Sequence, residues 1–203
     1  AEDQQFYKHP GFDMKGTLRA ALSNAKGSDA QQGGSTITQQ YVKLAVLNNS
    51  EKRLSRKIKE LILSIELERT YKKDEILQAY LNEVSLGGVY NGAEAASQGF
   101  FNKSAKDLTL DEAATFAAAI QAPGTYWEEQ NRPELIERRN NYVLPNMVKL
   151  GYITQEQADA AKKLEVHPGV GVKVVRHPEV EHPHHREAVA QTKLRYAVIK
   201  EKP

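Results

Sequence analysis

Residues 31–47, QQGGSTITQQYVKLAVL, set a Gly pair, a Ser/Thr pair and a Gln pair ahead of a lysine. The chemistry these types can do is oxygen and anion binding. Gly33 and Gly34 permit positive φ and a close backbone approach, and free N–H groups of a first helical turn attract anions. A helix starting near Ser35 or Thr36 puts Thr36, Gln40 and Lys43 on a polar face and Ile37, Tyr41 and Leu44 on a neighbouring apolar one. The same residues fit an ordinary capped turn with a solvated helical face. A nucleotide P-loop is excluded, because the G-x-x-x-x-G-K-[ST] order is missing.

A second charged constellation lies in RLSRKIKELILSIELERTYKKDEI, residues 53–76. Arg53, Arg56 and Glu60 fall at i, i+3 and i+7 on one side, and Leu54, Ile58, Leu61, Ile62 and Ile65 form an apolar stripe on another. Arg56 and Glu60 at i, i+4 read either as a surface ion pair contributing about 0.3–0.5 kcal/mol or as part of an anion site. The amino-terminal AEDQQFYKHPGFD offers Glu2, Asp3 and His9, to which spacing alone gives no chemistry. His182, His184 and His185 in EHPHHRE lack zinc-type spacing and read as a tail feature rather than a metal site.

The elements that must position these residues are helical. Ala, Leu, Glu, Lys and Gln dominate long segments of helical periodicity, predicting helices over 13–26, 36–48, 51–70, 73–84, 92–101, 110–121, 133–150 and 154–163. Thr109 before Leu110, Asp111 and Glu112, and Thr154 before Gln155, Glu156 and Gln157, are helix starts. From Val166 the composition turns to Val, His, Pro and Gly, which predicts a linker-like tail over 166–203 with a short strand over 170–175 as an alternative.

At 203 residues the chain can bury a core of normal size without staples. A net charge of +2 marks no general nucleic-acid footprint, so any basic function must be local. Absence of cysteine excludes disulfides and thiol chemistry. No apolar run reaches the roughly 18 residues of a membrane span, and a chain starting at Ala1 is expected to be an excised fragment.

Taken together, residues 2–160 resemble the peptidoglycan glycosyltransferase domain of class A bifunctional penicillin-binding proteins, glycosyltransferase family 51. The motif E-D-x-x-F-x-x-H-x-G is met by Glu2, Asp3, Phe6, His9 and Gly11. G-G-S-T-[IL]-T-Q-Q-x-x-K-N runs from Gly33 to Lys43 and departs at Leu44, where Asn is usual. R-K-x-x-E is Arg56, Lys57 and Glu60, and Y-L-N-x-x-x-x-G is Tyr80, Leu81, Asn82 and Gly87. Downstream, Phe100 stands where Tyr is usual, and alanine replaces a usual glycine near 118–119.

The resemblance implies a mostly α fold, a lysozyme-like helical large lobe with a smaller membrane-facing lobe, occupying residues 1–165. It implies polymerisation of lipid II into β-1,4-linked glycan strands by inverting displacement, with release of undecaprenyl diphosphate. Glu2 maps to the catalytic base and Glu60 to the second carboxylate. Ser35, Thr36, Gln40, Lys43 and Arg56 are expected to hold the diphosphate and sugar, with Asp3, His9, Lys57 and Asn82 in support. Glu60 would orient Arg56, bind a divalent ion such as Mg2+, or both; no organic cofactor is expected. Leu44 is expected to pack on the Ile37 and Tyr41 face. Implied partners are lipid II, the growing strand, a membrane surface and a transpeptidase domain missing from this chain, at the extracytoplasmic face of a bacterial cell membrane, with no nucleic acid. Two other readings stay open: a lytic transglycosylase or lysozyme-type hydrolase, and a non-catalytic glycan-binding module.

Overall fold

A computed structural model describes residues 1–13, 34–47 and 53–164. The helix expected over 13–26, Gly33, the strand expected over 170–175 and the tail with His182, His184 and His185 lie outside the described residues. The expected mostly α class is the one found. The described residues divide into two units, one built from residues within Glu2–Glu83 and the other from Ala1 and residues 84–164.

In the first unit, α1 (Ile37–Ala45), α2 (Arg53–Thr70) and α3 (Lys73–Glu83) pack with α1 against both of the others. Their core comprises Phe6, Tyr41, Val42, Leu63, Leu67, Ile76, Ala79 and Tyr80. One expectation fails here. Leu44 is 48% exposed rather than packed with Ile37 and Tyr41, because α1 turns Thr38, Tyr41 and Val42 inward. On α2 the apolar stripe faces outward at Ile58, Leu61 and Ile62, whereas Glu60, Leu63, Ser64 and Leu67 are buried. The polar members of that inner face bring their own partners, Ser64 Oγ donating to the Glu60 carbonyl at 2.6 Å. Burying them therefore leaves no orphaned group.

Gly11 explains why the amino-terminal segment can lie so close to α2. Its φ of +87° is in the left-handed region, and a Cβ there would stand 2.7 Å from the Ser64 carbonyl oxygen. Only glycine meets both demands.

The second unit opens with an antiparallel hairpin of β1 (Ser85–Gly87) and β2 (Tyr90–Asn91), followed by α4 (Ala93–Phe101) and α5 (Leu110–Ala119). Trp127 stacks on Phe100 with ring centroids 3.9 Å apart and donates from Nε1 to the Leu86 carbonyl at 2.6 Å. Ala114, Ala118, Ala119, Leu135, Val143, Leu144, Ala158 and Ala161 form a core whose small residues let helices approach closely. The helix expected over 133–150 is instead α6 (Arg132–Arg138), a π turn over Arg139–Val143 and α7 (Leu144–Lys149). Pro145 has no N–H and its ring clashes with the carbonyl four residues back, so the wider turn just before it relieves the conflict. The turn buries Arg139, whose Nη2 donates to the Leu164 carbonyl at 3.1 Å beyond α8 (Gln155–Lys162). No helix among the described residues is long and apolar enough to cross a membrane.

The start of α5 is a capping box between Thr109 and Glu112, with the Thr109 amide donating to the Glu112 carboxylate at 2.8 Å and Lys103 Nζ at 2.9 Å from it. Burial alone would push this carboxyl up. The Thr109 amide and hydroxyl and the Lys103 ammonium outweigh burial and hold it below the ordinary 4.5. A depressed folded-state pKa contributes stability that is present above the unfolded value and lost as pH falls through the folded one. Glu112→Gln should therefore lower stability by about 1 kcal/mol at neutral pH and flatten the acid limb below about pH 4.5, read by thermal melts across pH.

Candidate functional site

Several of the residues singled out in sequence, Asp3, His9, Ser35, Thr36, Arg56, Lys57 and Glu60, lie on the first unit, where hydrogen bonds and ion pairs group them. The Asp3 carboxylate organises this corner, because Oδ2 lies 2.8 Å from His9 Nε2 and accepts from the Ile37 amide at 3.1 Å. Thr36 caps the same helix: its hydroxyl accepts from the Gln39 amide at 3.2 Å, and the Gln39 side chain accepts from the Thr36 amide at 3.1 Å. The Thr36 hydroxyl also donates to the Gly11 carbonyl at 2.8 Å and is 2% exposed.

These contacts revise the anion reading of the turn. The Ile37 and Gln39 amides, expected to be open to an anion, are taken by Asp3 and Thr36. Thr36 likewise has its hydroxyl committed to protein, so it is a cap and a brace rather than a ligand for sugar or phosphate. Ser35, by contrast, is half-buried and accepts from Lys57 Nζ at 2.7 Å.

Lys57 is also 2.9 Å from Glu60 Oε2, while Arg56 Nε stands 3.5 Å from Glu60 Oε1. Glu60 is only 5% exposed, so the pair is not the surface ion pair of the simpler sequence reading. One buried carboxylate thus carries two cations, of which Lys57 keeps nearly half of its side chain in solvent. Losing the carboxylate would leave those cations uncompensated. The trio of Arg56, Lys57 and Glu60 carries one net positive charge beside the Ser35 hydroxyl. Such an arrangement attracts an anion with several oxygens, a phosphate or diphosphate above all.

The same geometry tests the metal expectation at Glu60. A hard divalent cation takes six or more oxygen ligands and is repelled by neighbouring ammonium and guanidinium groups. Both Glu60 oxygens face cations, and no group of three or more candidate ligands occurs among the described residues. The donor set does not fit a directly bound divalent ion.

Lys43 is exposed near the end of α1, and Asn82 is half-buried near the end of α3. Neither shares a hydrogen bond or ion pair with the other site residues described. Gln40 is half-buried and its Oε1 accepts from the hydroxyl of Tyr80 at 3.0 Å. Glu2 is half-buried, and its charge is one reason that the Tyr80 phenol is pushed up, after burial itself. Sequence reasoning missed Tyr80, which stands in the Y-L-N motif but reads as a core aromatic. It also missed Glu68, which accepts from Thr38 Oγ1 at 2.5 Å and from Lys73 Nζ at 2.6 Å, tying α1, α2 and α3 together.

A family model described as Transglycosylase matches residues 1–148. Penicillin-binding protein 1A of Neisseria gonorrhoeae is 42% identical over 167 residues, which is 82% of this chain and 21% of that protein. Penicillin-binding protein 1A of Aquifex aeolicus is 45% identical over 160 residues, covering 79% of this chain and 22% of its own. The chain spans about a fifth of the length of these curated relatives. A crystal structure of penicillin-binding protein 1A from Haemophilus influenzae is similar at 29% identity, 66% of this chain and 16% of that one, with a TM-score of 0.42, too low to bear on the fold.

Asp3→Ala should free the start of α1 and orphan His9. A loss of about 2–3 kcal/mol in urea unfolding is expected, since two hydrogen bonds to one charged acceptor go at once. A loss under about 0.5 kcal/mol would mean that the segment is held elsewhere.

Proposed function

This chain belongs to the transglycosylase family, the peptidoglycan glycosyltransferases that its motifs resemble, and from that membership we propose that it polymerises lipid II into β-1,4-linked glycan strands. The 4-hydroxyl oxygen of an acceptor sugar attacks the anomeric carbon of the lipid-linked donor. The bond from that carbon to the diphosphate oxygen breaks, and the linkage inverts from α to β. Glu2 receives the hydroxyl proton. Undecaprenyl diphosphate departs as a weakly basic anion, which cations and hydrogen-bond donors stabilise better than a proton donor does.

The observation that carries this reading is the placement of Lys57 Nζ between Ser35 Oγ and Glu60 Oε2, with Arg56 on the other Glu60 oxygen. Lys57, Arg56 and Lys43 would receive the diphosphate, and Ser35 and Gln40 its oxygens and those of the sugar. Glu60 would keep two cations in place rather than react. A glycan hydrolase has an alkoxide leaving group and requires an acid, not this excess of positive charge. The displacement calls for no organic cofactor.

The membrane partner has support in α2, whose Ile58, Leu61 and Ile62 face outward and apolar. A lipid-linked substrate brings the site to a bilayer surface. In the full protein the domain would act at the extracytoplasmic face of a bacterial cell membrane, joined to a transpeptidase domain like those of penicillin-binding proteins.

Incubation with lipid II and, separately, with finished glycan tests the reaction: strands growing from lipid II are expected, and mere shortening of glycan would make it a hydrolase. Glu2→Gln should cut polymerisation by about 10²–10⁴-fold while a phosphoglycolipid such as moenomycin still binds. Unchanged turnover in that variant would reject Glu2 as the base. Lys57→Ala should weaken phosphoglycolipid binding about tenfold, as expected for one charge-assisted contact, measured by fluorescence titration.

A further inference from the structure

Glutamine presents either end of its amide to a ligand, an oxygen that accepts or an NH2 that donates, and the two differ only by a half-turn of the terminal torsion. Gln40 is on the polar face of α1, half-buried, with its backbone fixed by the helix. Its side chain meets Tyr80, a residue 1% exposed on the inner face of α3. The Tyr80 hydroxyl donates to Gln40 Oε1 at 3.0 Å.

That contact favours one of the two, because only the amide oxygen gives the buried Tyr80 proton an acceptor. With Oε1 engaged, the NH2 is the end left to face a ligand, and it can only donate. We propose that Tyr80 is a positioning residue that holds the Gln40 amide with Nε2 turned toward the oxygens of the sugar–diphosphate substrate, beside the acidic Glu2. The inference rests on the reading of this corner as a lipid II site, and it adds a residue whose side chain need never touch the substrate.

Three features make the arrangement directional. Burial, and after it the Glu2 charge, push the phenol above its ordinary value, so Tyr80 keeps the proton it donates throughout the working range. A buried hydroxyl that lost its acceptor would be left unsatisfied, which penalises rotation of the amide away from it. A flipped amide would also turn its oxygen toward the oxygens of an anionic substrate, replacing an attraction with a repulsion. The tyrosine acts by making the wrong orientation costly twice.

The test is a double-mutant cycle in the 203-residue chain, with Tyr80→Phe, Gln40→Ala and the pair. Polymerisation of lipid II is followed as kcat and KM, and moenomycin affinity is measured on the same four proteins, with circular dichroism and thermal melts to confirm folding. Tyr80→Phe should lower kcat/KM, and weaken moenomycin, by about tenfold, the scale of one lost oriented hydrogen bond. In the Gln40→Ala background the same substitution should change both by less than about twofold, because nothing remains to be oriented. An equal loss in the two backgrounds would show that the hydroxyl serves the fold alone and overturn the proposal, as would an unaffected single variant. A wild-type chain that fails to polymerise lipid II yet binds moenomycin would sink the proposed reaction, and the binding cycle would still decide the role of Tyr80.

Discussion

The Asp3 carboxylate accepts two hydrogen bonds on one oxygen, from the His9 ring and from the first amide of α1, and the position of Glu2 depends on it. The chain before Phe6 has no regular hydrogen-bond ladder to hold it. Asp3 supplies one anchor, and the Gly11 carbonyl, accepting from Thr36, supplies another. Between these points the segment is tied to the start of the helix that carries Gln40 and Lys43. An acidic residue there also suits the positive end of the helix dipole. Glu2, one residue from such an anchor, has its backbone held close to the start of α1.

The second dependence is electrostatic. Glu60 would be expensive to bury alone, and Arg56 and Lys57 would repel one another if left without it. Each makes the others tenable, and the residual positive charge faces the Ser35 side of the site. Preorganisation of this sort needs little rearrangement when a leaving group acquires charge. It is also why Glu60 reads better as a holder of cations than as a metal ligand.

Local patterns in the sequence were the legible part. Thr36 with Gln39, Thr109 with Glu112 and Thr154 with Gln157 close capping boxes over three residues, and every described α-helix except α7 began within two or three residues of its expected start. The motif residues Glu2, Asp3, His9, Ser35, Gln40, Lys57 and Glu60 fall in one unit. What the sequence hid was orientation. Periodicity placed Ile58, Leu61 and Ile62 on one side of α2 but could not say that this side faces outward, since Glu60 and Ser64 gain their partners only on folding. Tyr80 was hidden for a related reason: its hydroxyl finds its acceptor 40 residues away, a distance at which no local pattern operates.

The π turn over Arg139–Val143 bears on how this chain tolerates change over generations. Each helical residue adds about 100° of rotation. Removing one from the turn would swing either Leu135 or Leu144 off the shared core, however conservative the neighbouring letters. Substitutions along 139–143 can be absorbed one by one where a side chain faces solvent, whereas an insertion or deletion misaligns two helices at once. The stretch is thus constrained in length more tightly than in spelling.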